Sequence, residues 1–229
     1  MNIKDSNIAI IHDWFLEKSF GGSEKVTIIL NDLLNERYST PDIFSLTSNI
    51  KISKEKFIKE SKIKTSFIQS LPFGKTNVQS YLPILPYAIE QFDLREYDLI
   101  ISSSHALAKG VLTSPDQLHI SYVHTPMRYA WDQMNTYLKK STLSKFGFEI
   151  PIRFMLYKLR EWDFYSSQRL DYIIANSNFT SKRIKKYWGL ESDVINPPVD
   201  IKRFKYNNPR EDYYISLNRL VPNKRIDLL

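Results

Sequence analysis

Asn7-Ile8-Ala9-Ile10-Ile11-His12-Asp13-Trp14, followed by Gly21-Gly22-Ser23 and then by Val26, Ile29, Leu30, Leu33 and Leu34, is the stretch whose reading decides the fold. Ile8 to Ile11 is a short apolar run, the pattern of a strand buried on both faces. The later apolar residues recur at helical spacing, with Glu24 in the first turn and Arg37 at the end, where each charge suits the helix dipole. A buried strand, a glycine loop and an amphipathic helix make one βα unit of a parallel sheet.

Working outward, the same grammar repeats. Strands are expected at Asp42–Leu46, Ile63–Gln69, Tyr97–Ile101, Leu118–His124, Tyr172–Ser177 and Val194–Asp200. Lys51 to Lys64 is lysine-rich and polar, a solvated helix or loop. Val78 to Phe92 predicts a helix whose N-terminal half Pro83 and Pro86 make irregular. Pro151 to Leu170 predicts a long amphipathic helix, and a further helix runs to about Trp188. The expected fold is therefore α/β, a Rossmann-like doubly wound parallel sheet of six or seven strands built from residues 1–200. Residues 201–211 read as a polar linker. Residues 212–229 would start a second domain, with a strand at Tyr213–Leu217 and a helix from Lys224, and would end before that domain is complete.

Composition narrows the function. The 229 residues are 42% hydrophobic, ample for a core, so global disorder is excluded. There is no cysteine, which removes disulfides, thiolate metal sites and a cysteine nucleophile. No apolar run is long enough to span a bilayer and no signal peptide is read, so a cytoplasmic location is expected. The net charge of +7 is uneven, +1 over residues 1–150 and +6 over residues 151–229. The basic run Lys182 to Trp188 lacks a nucleic-acid reading motif, so a solvated helix face is preferred and no nucleic-acid partner is expected. The mixture of Arg153, Lys158 and Arg160 with Phe154, Leu156, Tyr157 and Trp162 suits an anionic membrane surface or a domain interface.

In an open α/β sheet ligands bind beyond the carboxyl ends of the strands. Polar residues gather there: His12 and Asp13, Ser102 to His105, His124, and Asn176 with Ser177. Loops are polar in any case, but histidine at three such ends out of four in the chain is harder to dismiss. Gly21-Gly22 before a helix can bring backbone N–H groups to a phosphate, or serve only as a hinge before the N-cap. Phe73-Gly74-Lys75-Thr76 lacks the upstream glycine of a P-loop. His119 and His124 lie five apart across a strand and point to opposite faces, so no metal site is supported and His119 is structural or solvent-facing. Asp98 and Asp171, each before an apolar strand, read as turn residues.

Together the motifs resemble the N-terminal half of a family-4 (group 1) glycosyltransferase of the GT-B fold. The likeness is carried by His12-Asp13-Trp14 with Gly21 to Val26, by Tyr122-Val123-His124-Thr125-Pro126-Met127-Arg128-Tyr129-Ala130-Trp131-Asp132, by Ala175 to Thr180 with Ile195 to Asp200 and Arg203-Phe204, and by Arg219 to Arg225. The Tyr122 to Asp132 segment is similar to a signature of bacterial O-antigen and capsule mannosyltransferases. The resemblance implies a retaining, metal-independent transferase without a cofactor, using a nucleotide-sugar donor such as GDP-mannose and a lipid-linked or surface polysaccharide acceptor. It would sit peripherally at the inner face of the cytoplasmic membrane. By the same resemblance His124 is the catalytic-centre residue beside the donor sugar. Gly21, Gly22, Arg219 and Lys224 would hold the donor diphosphate. Asp13, His105, Arg128, Asn176 and Ser177 would line the cleft or meet the acceptor. The family also places a glutamate pair, seven residues apart, and most of the nucleotide pocket in the second domain. The chain ends at Leu229 before these, so it is expected to be inactive alone. The alternative is a non-catalytic glycan- or partner-binding domain at the membrane surface. A nucleotide-sugar epimerase shares the two-domain fold, but the Asn196 to Asp200 and Arg219 to Arg225 patterns argue against it.

Overall fold

The computed structural model describes residues 6–50, 63–140, 144–201, 212–217 and 226–228. Seven strands form one sheet: β1 (Ile8–His12), β2 (Asp42–Ser45), β3 (Ile63–Thr65), β4 (Leu99–Ser104), β5 (Leu118–Val123), β6 (Tyr172–Ala175) and β7 (Asp193–Val194). Their order is β3-β2-β1-β4-β5-β6-β7, and every pair is parallel. This is the Rossmann-like doubly wound arrangement, in which the order of strand addition reverses between β1 and β4.

Strand β1 shows why both faces must be covered. Ala9 and Ile11 enter one apolar cluster, with Leu85, Ala88 and Ile89 of α2 (Leu85–Glu90) and Leu156 and Leu159 of α4 (Glu149–Ser167). Ile8 and Ile10 enter the opposite cluster, with Leu34, Ile28 and Leu30 of α1 (Gly22–Arg37). The two-residue alternation of the strand thus divides its side chains between two helical layers. A third cluster joins Val123, Ile173 and Ala175 to Ile184 and Trp188 of α5 (Asn178–Trp188). A short α3 (Met134–Lys140) precedes α4. Pro151 is accommodated in the first turn of α4, where an N–H would have no helical partner. Asp98 and Asp171 accept the backbone N–H of Asn7 and His119, the turn roles expected of them.

Several elements differ from the sequence expectations. The third strand stops at Thr65, because Ser66 accepts the Ile68 N–H and caps a 3-10 turn over Phe67–Ser70. The helix expected over Val78–Phe92 is a 3-10 turn at Val78–Tyr81 followed by the six-residue α2, consistent with its two prolines. The last strand has two residues, since Pro197 and Pro198 follow closely. Tyr213–Leu217 forms no strand and is exposed; an apolar pentapeptide takes strand form only where another strand pairs with it. Ile226–Leu228 is a 3-10 turn in place of the expected helix. The lysine-rich stretch falls mostly within residues 51–62, and the linker mostly within residues 202–211, both outside the described residues. The chain divides into two compact units, Met1–Pro197 and Pro198–Leu229, and all seven strands belong to the first.

Candidate functional site

In an open α/β sheet the ligand crevice lies where strand order reverses, here at the carboxyl ends of β1 and β4. Their registers align His12 with Ser103. Asp13 follows His12 and is fully buried, and the backbone takes the place of water around its carboxylate. Oδ2 accepts the N–H groups of His105 (2.7 Å) and Ala106 (3.2 Å), and Oδ1 those of Leu107 and Ala108 (2.8 Å). His105 Nδ1 lies 3.0 Å from Oδ2 as an ion pair. Burial works to raise the Asp13 pKa, but the His105 charge and these hydrogen bonds outweigh it and hold the carboxyl well below its ordinary value. For His105, burial opposes the charge, and the Asp13 carboxylate overcomes it, so its pKa is raised. Asp13 therefore braces the loop after β4 and orients His105; the His105 ring remains one-quarter exposed, with the Trp14 indole edge-on at 4.7 Å.

A second network joins three elements. His12 Nδ1 lies 2.9 Å from the Ser103 carbonyl and so carries its proton there. Thr27 Oγ1 is 3.1 Å from the same nitrogen and 2.8 Å from Ser103 Oγ. Ser103 Oγ is in turn 2.9 Å from His124 Nε2. Thr27 has one proton and two acceptors in reach, Ser103 Oγ and the Ser23 carbonyl at 3.0 Å; where it donates to Ser103, Ser103 donates to His124 Nε2 and the His124 proton sits on Nδ1. Burial, followed by the charges of His12 and His105, pushes the His124 pKa down to about 3. Burial likewise depresses His12. His124 is thus a neutral, half-buried imidazole with one N–H to offer the crevice.

The remaining candidates divide. Gly22 opens α1 and faces open space, but the Gly21 N–H is already taken by Glu24 Oε2 at 2.8 Å. Arg128 lies four residues beyond His124, is half-buried, and is close enough for its charge to act on His105. Ser177 is the N-cap of α5, accepting the Thr180 N–H at 3.2 Å, and the Asn176 carbonyl accepts from Asn196 Nδ2 at 3.1 Å. Both lie after β6, one strand beyond β5. Arg219 and Lys224 lie outside the described residues. His119 is fully buried, its Nε2 2.9 Å from Ser102 Oγ, which settles its role as structural.

Ser103 belongs to the Ser102 to His105 group read from the end of β4, whereas Thr27 is not singled out by sequence and Glu24 reads only as a first-turn charge. Also unforeseen is a buried charged node. Lys109 and Asp163 are buried and paired at 2.8 Å. Lys109 Nζ donates to Ser166 Oγ at 2.8 Å, and Asp163 Oδ2 accepts the indole N–H groups of Trp131 (2.7 Å) and Trp188 (2.8 Å).

Among known proteins, the family model described as Glycosyltransferase Family 4 matches residues 20–203. No curated protein sequence matches the chain. Among solved structures the chain is similar to one described as "lipopolysaccharide outer core galactosyltransferase WaaB apo form", at 14% identity and a TM-score of 0.42, over 90% of this chain and 50% of that one. The chain thus spans about half the length of that protein.

Proposed function

The chain belongs to glycosyltransferase family 4, and from that premise we propose that it forms the acceptor-side half of a retaining glycosyltransferase, a mannosyltransferase using GDP-mannose and a lipid-linked glycan acceptor at the inner face of the cytoplasmic membrane. The observation that carries the reading is the crevice at the β1/β4 reversal, where His124, His105 and Arg128 gather within the span that matches the family. A neutral His124 has little proton affinity at pH 7. It acts by donating Nδ1–H to a sugar hydroxyl or ring substituent, fixing the donor sugar rather than removing a proton. The Ser103 hydroxyl holds the imidazole in that tautomer. In this reading the diphosphate leaving group is neutralised by Arg219 and Lys224, with no metal or other cofactor. A lipid-linked acceptor is favoured by the exposed Phe146, Phe148, Ile150, Phe154 and Tyr157, just before and along the start of α4, with Arg153 and Lys158 among them.

The test is transfer by the intact protein from radiolabelled GDP-mannose to lipid-linked acceptors prepared from membranes, with UDP-galactose alongside. Mannose incorporation is expected. Incorporation of galactose alone would overturn the donor assignment, and incorporation of neither sugar would overturn the enzyme reading. His124→Ala should lower turnover on the order of 100-fold while leaving the unfolding midpoint nearly unchanged.

A further inference from the structure

Tyr122 and His124 stand two residues apart at the end of β5, so both side chains leave the same face of the sheet. Their rings meet edge to face, 5.2 Å between centroids and 68° between planes. Tyr122 is buried, and a buried phenol must place its O–H. It donates to the Ile195 carbonyl at 2.8 Å. Ile195 follows β7, and β6 lies between β7 and β5. The tyrosine thus reaches over a whole strand, roughly 10 Å of sheet at the usual strand spacing, to a carbonyl beyond the last strand pair. Pro197 and Pro198 follow directly and carry no N–H, so the ladder cannot continue there. Three other bonds secure this segment: Ile195 N–H to the Ala175 carbonyl (3.0 Å), Asn196 Nδ2 to the Asn176 carbonyl (3.1 Å) and Ser192 Oγ to Ser181 Oγ (2.9 Å). The first compact unit ends immediately after it, at Pro197.

We propose that Tyr122 is a positioning residue for His124, which passes the placement of Ile195 and Asn196, where the chain leaves the first unit, to the imidazole. The His124 ring is located by two contacts, Ser103 Oγ at Nε2 (2.9 Å) and the face-to-edge packing with Tyr122. The Tyr122 ring is located in turn by its hydroxyl, which is spent on Ile195. A shift of Ile195 that keeps this hydrogen bond must turn the phenol, and a turned phenol changes what His124 packs against. A shift that breaks it leaves a buried hydroxyl unpaired, which costs free energy and resists the movement. The coupling is independent of any reaction; its consequence for sugar transfer rests on the glycosyltransferase reading.

Tyr122→Phe is the discriminating change, because it keeps a ring against His124 and removes only the bond to Ile195. NMR spectra of the 229-residue chain read the His124 ring protons, assigned by their loss in His124→Gln. In Tyr122→Phe these signals should move or double, and hydrogen exchange at the Ile195 amide should quicken by about tenfold. Asn196→Ala loosens the same segment without touching Tyr122. It should also move the His124 signals, and should no longer do so when combined with Tyr122→Phe. His124 signals unmoved by Asn196→Ala, or moved equally with and without the Tyr122 hydroxyl, would overturn the proposal; if Tyr122→Phe fails to fold, Asn196→Ala decides alone. In the intact protein Tyr122→Phe should lower kcat on the order of tenfold and leave KM for the donor near the wild-type value. Wild-type kcat in that variant, despite moved His124 signals, would refute the positioning role. Absence of any sugar transfer by the unmutated protein would sink the enzyme reading, while the His124 signals would still decide the coupling.

Discussion

Asp163 joins three side chains from separate parts of the chain. It takes two indole N–H bonds and one ammonium, and Lys109 is further enclosed by the rings of Trp162 (4.9 Å) and Trp188 (5.1 Å). Removing one member of a buried pair strands the other without solvent. Asp163→Ala should therefore destabilise by about 3–5 kcal/mol in urea unfolding. Replacing both charges, as in Lys109→Met with Asp163→Leu, should cost less than the single change, because no charge is then left bare. A single variant as stable as wild type would show that water reaches the node. No sequence pattern announced this pair. Lys109 sits beside Ala108 and Gly110 with no partner nearby in sequence, and Asp163 looks like an ordinary helix-surface acid until the packing of α4 turns it inward. The partners are 54 positions apart, a separation that only the tertiary fold closes.

The turn after β4 is where element geometry is tightest. Gly110 ends it, and a Cβ there would lie 2.3 and 2.4 Å from two atoms of the Trp162 ring. The ring is held by its N–H bond to Glu90 at 3.0 Å, so it cannot swing away freely. Gly110→Ala should cost about 1–3 kcal/mol and loosen the loop that Asp13 braces. A thermal midpoint within 1 °C of wild type would contradict that close approach. Elements of this kind explain which parts of the fold were legible. Ile8–Ile11 and Leu99–Ile101 are apolar runs that no exposed element tolerates, so β1 and β4 were plain, and the α1 register followed from its apolar spacing. The residues after β3 were not, because Ser66 offers its side chain to the backbone and ends a strand that hydrophobicity alone would extend to Gln69. For the site, strand-end position pointed to His12, Asp13, His105 and His124. It did not reveal that Asp13 and Ser177 spend their oxygens on backbone N–H groups, since that depends on where loops turn.

At the scale of the whole molecule, burying neutral histidines makes stability depend on pH. His119 and His124 are both depressed to about 3, whereas unfolded histidine titrates near 6.5. Between those values the unfolded chain binds more protons, so stability falls as the solution is acidified from about pH 6.5. Each such histidine contributes up to about 1.4 kcal/mol per pH unit. His12, depressed in the same sense, adds to the slope. The Asp13 contribution is present above the ordinary carboxylate pKa and is lost only in stronger acid, as pH falls through its depressed value. His105 acts oppositely: its contribution is lost as pH rises through its raised pKa. Urea midpoints measured from pH 7 to pH 5 should fall steadily, and His119→Gln should flatten the slope by about one proton. Constant midpoints across that range would contradict the neutral burial of these rings.

The edge-on contact between Trp14 and His105 also gives the crevice an optical signal of its own. A charged imidazole beside an indole quenches its emission, while a neutral one quenches far less. The other three tryptophans surround the Lys109–Asp163 pair and supply a steady background. Trp14 emission should therefore brighten as pH rises through the His105 titration, and the step should vanish in His105→Gln and in Trp14→Phe. The position of that step should therefore report, without any label, on any charge that comes to lie beside His105.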